Sequence, residues 1–169
     1  TADDYTLYYV YAYGSLQAVL TDAEKAIVLA DADVGVVVSQ QGQYIYERGV
    51  KDTEKELRNE DIPAAFLSGE INADKLQAAV GDSATVMNLS GCTLDQVLYE
   101  VSNGRAVVTR LANGDITVIV GYNRYNTLLY DFTNGSHYYM GINDSKAAFE
   151  AGGNVYVSYV EPQTTVKKD

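Results

Sequence analysis

The chain holds one thiol and one imidazole, Cys92 and His137, so any nucleophilic mechanism of the thiol–imidazole kind must use that pair. The imidazole lowers the thiol pKa, and as imidazolium it returns a proton to the leaving amine. Cys92 stands just before an expected helix, where the helix dipole can favour a thiolate. Its neighbours Leu94, Val97 and Leu98 form an apolar stripe, which favours a buried structural cysteine. His137 lies among Ser136, Tyr138 and Tyr139 at an expected strand edge and reads as a surface or hydrogen-bonded residue. One cysteine and one histidine exclude an intrachain disulfide, a cysteine-based zinc cluster and a multi-histidine metal site. The acidic runs Asp31-Ala-Asp33 and Asn59-Glu-Asp61 lack the loop spacing, central glycine and terminal glutamate of a calcium-binding hand. No metal and no cofactor are expected.

Fifteen tyrosines without a tryptophan make aromatic contact the other candidate chemistry. Alternation along YTLYYVYAY sets Tyr5, Tyr9, Tyr11 and Tyr13 on one face and Tyr8 on the other. Four tyrosines on one strand face suit inter-module packing or a contact surface for a protein or cell-wall glycan.

The elements that must position these residues follow from periodicity. Residues 5–49 read as β-α-β-β: a strand to Tyr13, then a helix behind Thr21-Asp-Ala-Glu24, which has capping-box spacing. That helix carries Ala23, Ala26, Ile27 and Ala30 on one face, and the strands 36–39 and 43–48 follow it. Residues 50–63, mostly charged and ending in Pro63, read as a solvated linker. A short helix over 72–80 and a strand over 84–89 come next. Thr93-Leu-Asp-Gln96 repeats the capping-box spacing ahead of Leu94, Val97, Leu98 and Val101. Asn113-Gly114 and Asn134-Gly135 then mark two hairpins. A helix over 144–151 and a strand over 155–160 complete an α+β arrangement.

Composition narrows the partners. With 12 basic against 23 acidic residues the net charge is −11, which disfavours nucleic acid and anionic membrane surfaces. No apolar run reaches the ~20 residues of a membrane helix. A 47% apolar content supports a packed core. The chain opens on Thr1 without a charged-then-apolar leader, as expected of a trimmed product.

The runs GCTLDQVLYEVSNGRAVV, DITVIVGYN, LLYDFTNG and GINDSKAAFEAGGNVYVSYV resemble the C-terminal half of the papain-like, bacteriocin-processing (double-glycine leader) peptidase family. This resemblance implies a domain organisation: a β-α-β-β module (1–50), a linker with short helices (51–83), a papain-like half (84–161) and a tail (162–169). It also implies that the histidine position falls on Asp115 and the aspartate position on Asp131. The Cys-Gly-Pro helix start has no counterpart. Asp115 would be anionic at neutral pH and could not donate a proton, so the resemblance implies a catalytically degenerate member. The expected role is a non-catalytic binding or structural module of a secreted or cell-surface bacterial protein. Two alternatives stand beside it: a peptidase using Cys92, His137 and Asn143 in papain-like order, and a self-assembling extracellular subunit.

Overall fold

The computed structural model describes residues 6–40, 42–47 and 54–161. Strands β1 (Tyr8–Ala12) and β2 (Ser15–Leu20) form a hairpin closed by Tyr13 and Gly14, both at left-handed φ. Helix α1 (Ala23–Asp33) then leads to β3 (Val36–Ser39) and β4 (Tyr44–Glu47), giving an antiparallel sheet of order β2-β1-β3-β4. The unit is therefore β-β-α-β-β, not the expected β-α-β-β. The missed strand, SLQAVL, has no clean alternation because the β1–β2 register shifts at Val10/Tyr11.

The capping-box spacing at 21–24 is not used. Asp22 stands at the N-cap without a side-chain cap bond, and its carboxylate pairs with Lys25 at 3.4 Å. The predicted apolar face does form: Ala23, Ala26, Ile27 and Ala30 are buried against the sheet. Val34 ends the helix at φ 55°. Gly35 follows because a Cβ there would collide with the Tyr11 carbonyl on β1.

The second sheet is built from β5 (Lys55–Glu56), β6 (Thr85–Asn88), β7 (Val107–Arg110), β8 (Ile116–Tyr122), β9 (Asn126–Asp131), β10 (Ser136–Gly141) and β11 (Tyr156–Val160). Its order is β10-β9-β8-β7-β11-β6, antiparallel throughout, with β5 pairing to the end of β8. Helices α2 (Ala73–Val80), α3 (Leu94–Ser102) and α4 (Ile142–Ala151) complete the α+β fold. The capping box at 93–96 closes in full, with Thr93 Oγ1 accepting from Gln96 N and Gln96 Oε1 accepting from Thr93 N.

Two cores flank the second sheet. One is shared with the first sheet: Tyr8, Val10, Ile27, Val37 and Ile45 pack with Cys92, Val97, Leu98, Ile119, Leu129 and Tyr156. The other sits on the opposite face, where Leu57, Ile62, Phe66 and Leu76 cover Val108, Val118, Val120, Val157 and Tyr159. This corrects the solvated-linker reading over residues 54–63. Leu57 is buried and its N–H donates to the Val120 carbonyl, while Ile62 enters the second core. Residues 48–53 and the 162–169 tail fall outside the described residues.

Candidate functional site

Cys92 sits one residue before the N-cap of α3. Its own N–H donates to the Leu89 carbonyl, and the Leu89 and Gly91 amides donate to the carbonyls of Tyr156 and Asn154 beside β11. The thiol is fully buried in the shared core. Burial, followed by the nearby carboxylates of Glu24, Glu100 and Asp31, pushes its pKa up to about 12. A nucleophilic cysteine needs the opposite environment, electropositive and partly exposed.

His137 lies on β10, the far edge strand. Its Nε2 lies 3.2 Å from Asn59 Oδ1 and its ring 5.2 Å from that of Tyr130. Tyr130 and the 59–67 segment belong to the second core's side, whereas the flanking Tyr138 and Met140 pack on the shared core. So the imidazole and the thiol occupy opposite faces of the sheet. They are also separated along it, because β10 and β11 are four strand spacings apart, or roughly 19 Å at ~4.8 Å each. Asn143 is an exposed residue in the first turn of α4. The structure does not assemble a Cys92–His137–Asn143 site, which corrects that alternative.

Of the two carboxylates implied by the resemblance, Asp115 immediately precedes β8 and Asp131 ends β9, and each serves a turn. Asp115 is exposed, takes a bond from Asn113 Nδ2 at 2.9 Å, and sends its own N–H to Asn113 Oδ1. Asp131 ends β9 and accepts from the hydroxyl and the amide of Thr133, which hold its carboxyl below the usual range. For Asp131 that is the opposite of the raised pKa that an acid catalyst needs at neutral pH.

The tyrosine face is narrower than expected. Tyr9 and Tyr11 do lie on the side of the first sheet away from α1, opposite buried Tyr8, Val10 and Ala12. Tyr13 leaves that face in the hairpin turn and its hydroxyl donates to Asp33 on α1 at 3.4 Å. Tyr5 lies outside the described residues. Asp31 accepts from Tyr46 Oη at 2.7 Å and from Gln96 Nε2 at 3.0 Å, and Asp61 pairs with Arg58. Among the described residues no group of three or more His, Cys, Asp or Glu is placed to hold a metal ion.

The residues missed in the sequence are Glu100 and Arg105. Glu100 is wholly buried in α3. Its Oε1 accepts from Arg105 Nε at 2.9 Å and lies 2.8 Å from Nη2, and among the described residues its Oε2 has no hydrogen-bond partner. Arg105 Nη2 also donates to the Tyr44 carbonyl at 3.1 Å, tying the second half to edge strand β4, and Nη1 lies 3.9 Å from Glu161. Burial pushes Glu100 up to about 7 against the opposing pull of Arg105. Burial works against the Arg105 cation, but Glu100 and Glu161 outweigh it and the guanidinium stays charged.

No family model matches the chain, and no curated protein matches it. Among solved structures, a Bacillus anthracis protein described as C39-like peptidase is similar at 16% identity and a TM-score of 0.46. The similarity covers 53% of this chain and 56% of that one, so the chain spans just over half of its length.

Proposed function

We propose that this chain is a non-catalytic module that binds or holds together a secreted or cell-surface bacterial assembly, on a peptidase-like scaffold that has lost its chemistry. The supporting observation is the placement of its one thiol and its one imidazole on opposite faces of the second sheet. A thiol–imidazole mechanism needs the two within hydrogen-bond reach. The carboxylates at the positions matched by resemblance, Asp115 and Asp131, cap turns instead. Contact chemistry is what the surface offers, through the exposed aliphatic and aromatic face of the first sheet.

The test is hydrolysis of a fluorogenic peptide library by the wild-type protein and by Asp115→His, the substitution that restores a histidine where the resemblance places one. Both are expected to stay at the buffer rate, because a base has nothing to activate without a facing thiol. Turnover in either protein that Cys92→Ala abolishes would overturn the reading.

A further inference from the structure

Strand β6 ends the order of the second sheet, so one of its edges pairs with β11 and the other pairs with no strand among the described residues. The register from Val157↔Asn88 to Val160↔Thr85, with the Leu89 N–H on the Tyr156 carbonyl, turns the main-chain groups of Met87 and Leu89 toward β11. Those of Ala84, Val86 and Asn88 therefore face outward. The first rung of this outer edge is already taken by an amide. Gln77 of α2 donates from Nε2 to the Ala84 carbonyl at 2.9 Å, and its Oε1 accepts the Val86 N–H at 2.8 Å. A side-chain amide thus stands where a peptide group of an added strand would stand. The next rung, the Val86 carbonyl and the Asn88 N–H, is unpaired among the described residues. The strand itself, Thr-Val-Met-Asn, carries none of the prolines or lysines that blunt free edges.

The open rung lies in a cleft of about 500 Å³ lined by β6, α2 and the start of α1, a size typical of ligand sites. Asp22, Glu24 and Asp74 line this cleft, and among the described residues no lysine or arginine does. Asp22 is paired with Lys25 at 3.4 Å, whereas the Glu24 and Asp74 carboxylates hold no ion pair among the described residues. We propose that the outer edge of β6 takes an extended segment of another polypeptide, which adds to the sheet as a further strand and sets a lysine or arginine against Glu24 and Asp74. The inference rests on the contact-module reading above and gives it a partner of stated chemistry.

Three observations select this occupant. A free carbonyl and a free N–H on one strand edge match the donor and acceptor of an extended main chain. The adjoining rung shows an amide satisfying the same edge with normal hydrogen-bond lengths. A cleft lined by carboxylates without a cation favours a basic side chain, and a net charge of −11 draws one in from a distance. A second copy of this chain, pairing β6 with β6, would instead crowd these carboxylates against their own counterparts. One open rung and two free carboxylates make the association weak and sensitive to salt.

Fluorescence anisotropy of a labelled hexapeptide of alternating threonine and lysine tests this, with alternating threonine and glutamate as its comparison. The expected result is saturable binding of the lysine peptide that weakens with salt, and no binding of the glutamate peptide. N-methylation of every second amide, made in both registers, should abolish binding in one of them, because it removes the donor that meets the Val86 carbonyl. Asn88→Pro deletes the unpaired N–H but no bond to β11, a position at which edge strands tolerate proline, and should weaken binding roughly 10-fold. Asp74→Lys should weaken it at least as much. Asp144→Lys, the same charge change in the first turn of α4, should leave it nearly unchanged. If Asn88→Pro loses the wild-type circular dichroism spectrum, the N-methylated peptides and Asp74→Lys carry the test. Three results would overturn the proposal: no binding of the lysine peptide at low salt, binding that ignores N-methylation in both registers, or equal losses in Asp74→Lys and Asp144→Lys. Intact peptides left unbound sink the edge site alone, whereas cleavage that Cys92→Ala abolishes sinks the module reading.

Discussion

Replacing Glu100 by glutamine should flatten the pH dependence of stability between pH ~5 and ~8. In the folded protein burial holds the Glu100 carboxyl at about 7, whereas in the unfolded chain it returns to its ordinary 4.5. The folded state thus binds this proton more tightly. The stability it contributes is fully present below 4.5 and is lost as pH rises through about 7. A shift of that size corresponds to about 3 kcal/mol at most. Four other groups near the pair stay outside this window. Tyr8, Tyr99 and Cys92 are all raised by burial, and Arg105 stays charged.

Urea unfolding of both proteins at half-unit pH steps measures the effect. Relief of general charge repulsion on acidification appears in both curves, because the net charge of −11 is shared apart from one group. The difference curve isolates Glu100. Wild type minus variant should fall by up to about 3 kcal/mol from pH ~5 to ~8. A flat difference curve, or one that rises with pH, refutes the argument. Arg105→Met gives the complementary sign. It strands a buried carboxylate at high pH, where the loss should reach ~3–5 kcal/mol, and costs less at pH ~5, where that carboxyl is protonated.

Cys92 should resist iodoacetamide at neutral pH until urea is added, because a thiol held near 12 presents almost no thiolate; rapid labelling of the native protein would contradict its burial. Calorimetry should show one melting transition, since the first sheet and the second half share a core through Ile27, Val37, Cys92 and Val97; two separated transitions would count against this. Gly121→Ala should lower stability by ~1–3 kcal/mol in urea titration, because the new Cβ collides with the Lys55 carbonyl on β5; an unchanged midpoint would mean that β5 yields freely.

What the sequence disclosed was governed by locality. The α3 cap, the two Asn-Gly hairpins and the apolar faces of α1 and α3 are set by residues within one or two turns of each other, and all of them form. Residues 54–63 misled because Leu57 and Ile62 are scattered among charges with neither a helical nor a strand period. Only the sheet face beneath them, supplied by β7, β8 and β11, makes them core. Glu100 was hidden for a related reason. The stripe Leu94, Val97, Leu98 and Val101 predicts one buried face for α3, yet Gln96, Tyr99 and Glu100 are buried too, because the helix meets both β4 and the second sheet. Identical spacing at 21–24 and 93–96 gave a capping box only at the second, since at the first the helix begins one residue later, behind Asp22.

The same sheet that organises the second half also explains why a simple exchange cannot create a thiol–imidazole pair. His137 shares its face with residues packed by the 54–67 segment, and Cys92 shares the other with α1 and α3. Bringing the two together would require turning β10 over, which exchanges every side chain on that strand between the faces and exposes Tyr138 and Met140. A histidine placed at 138 or 140 would lie on the correct side, but it would still stand several strands from β11 and Cys92. A thiol base would have to come from an element that packs into the core around Cys92. That core is already filled by residues such as Ile27, Val97, Val107 and Tyr156, fully buried members of the cluster that joins the two halves. Fitting an imidazole among them means desolvating it and disturbing that junction, so packing in this fold opposes the chemistry at the thiol's own location.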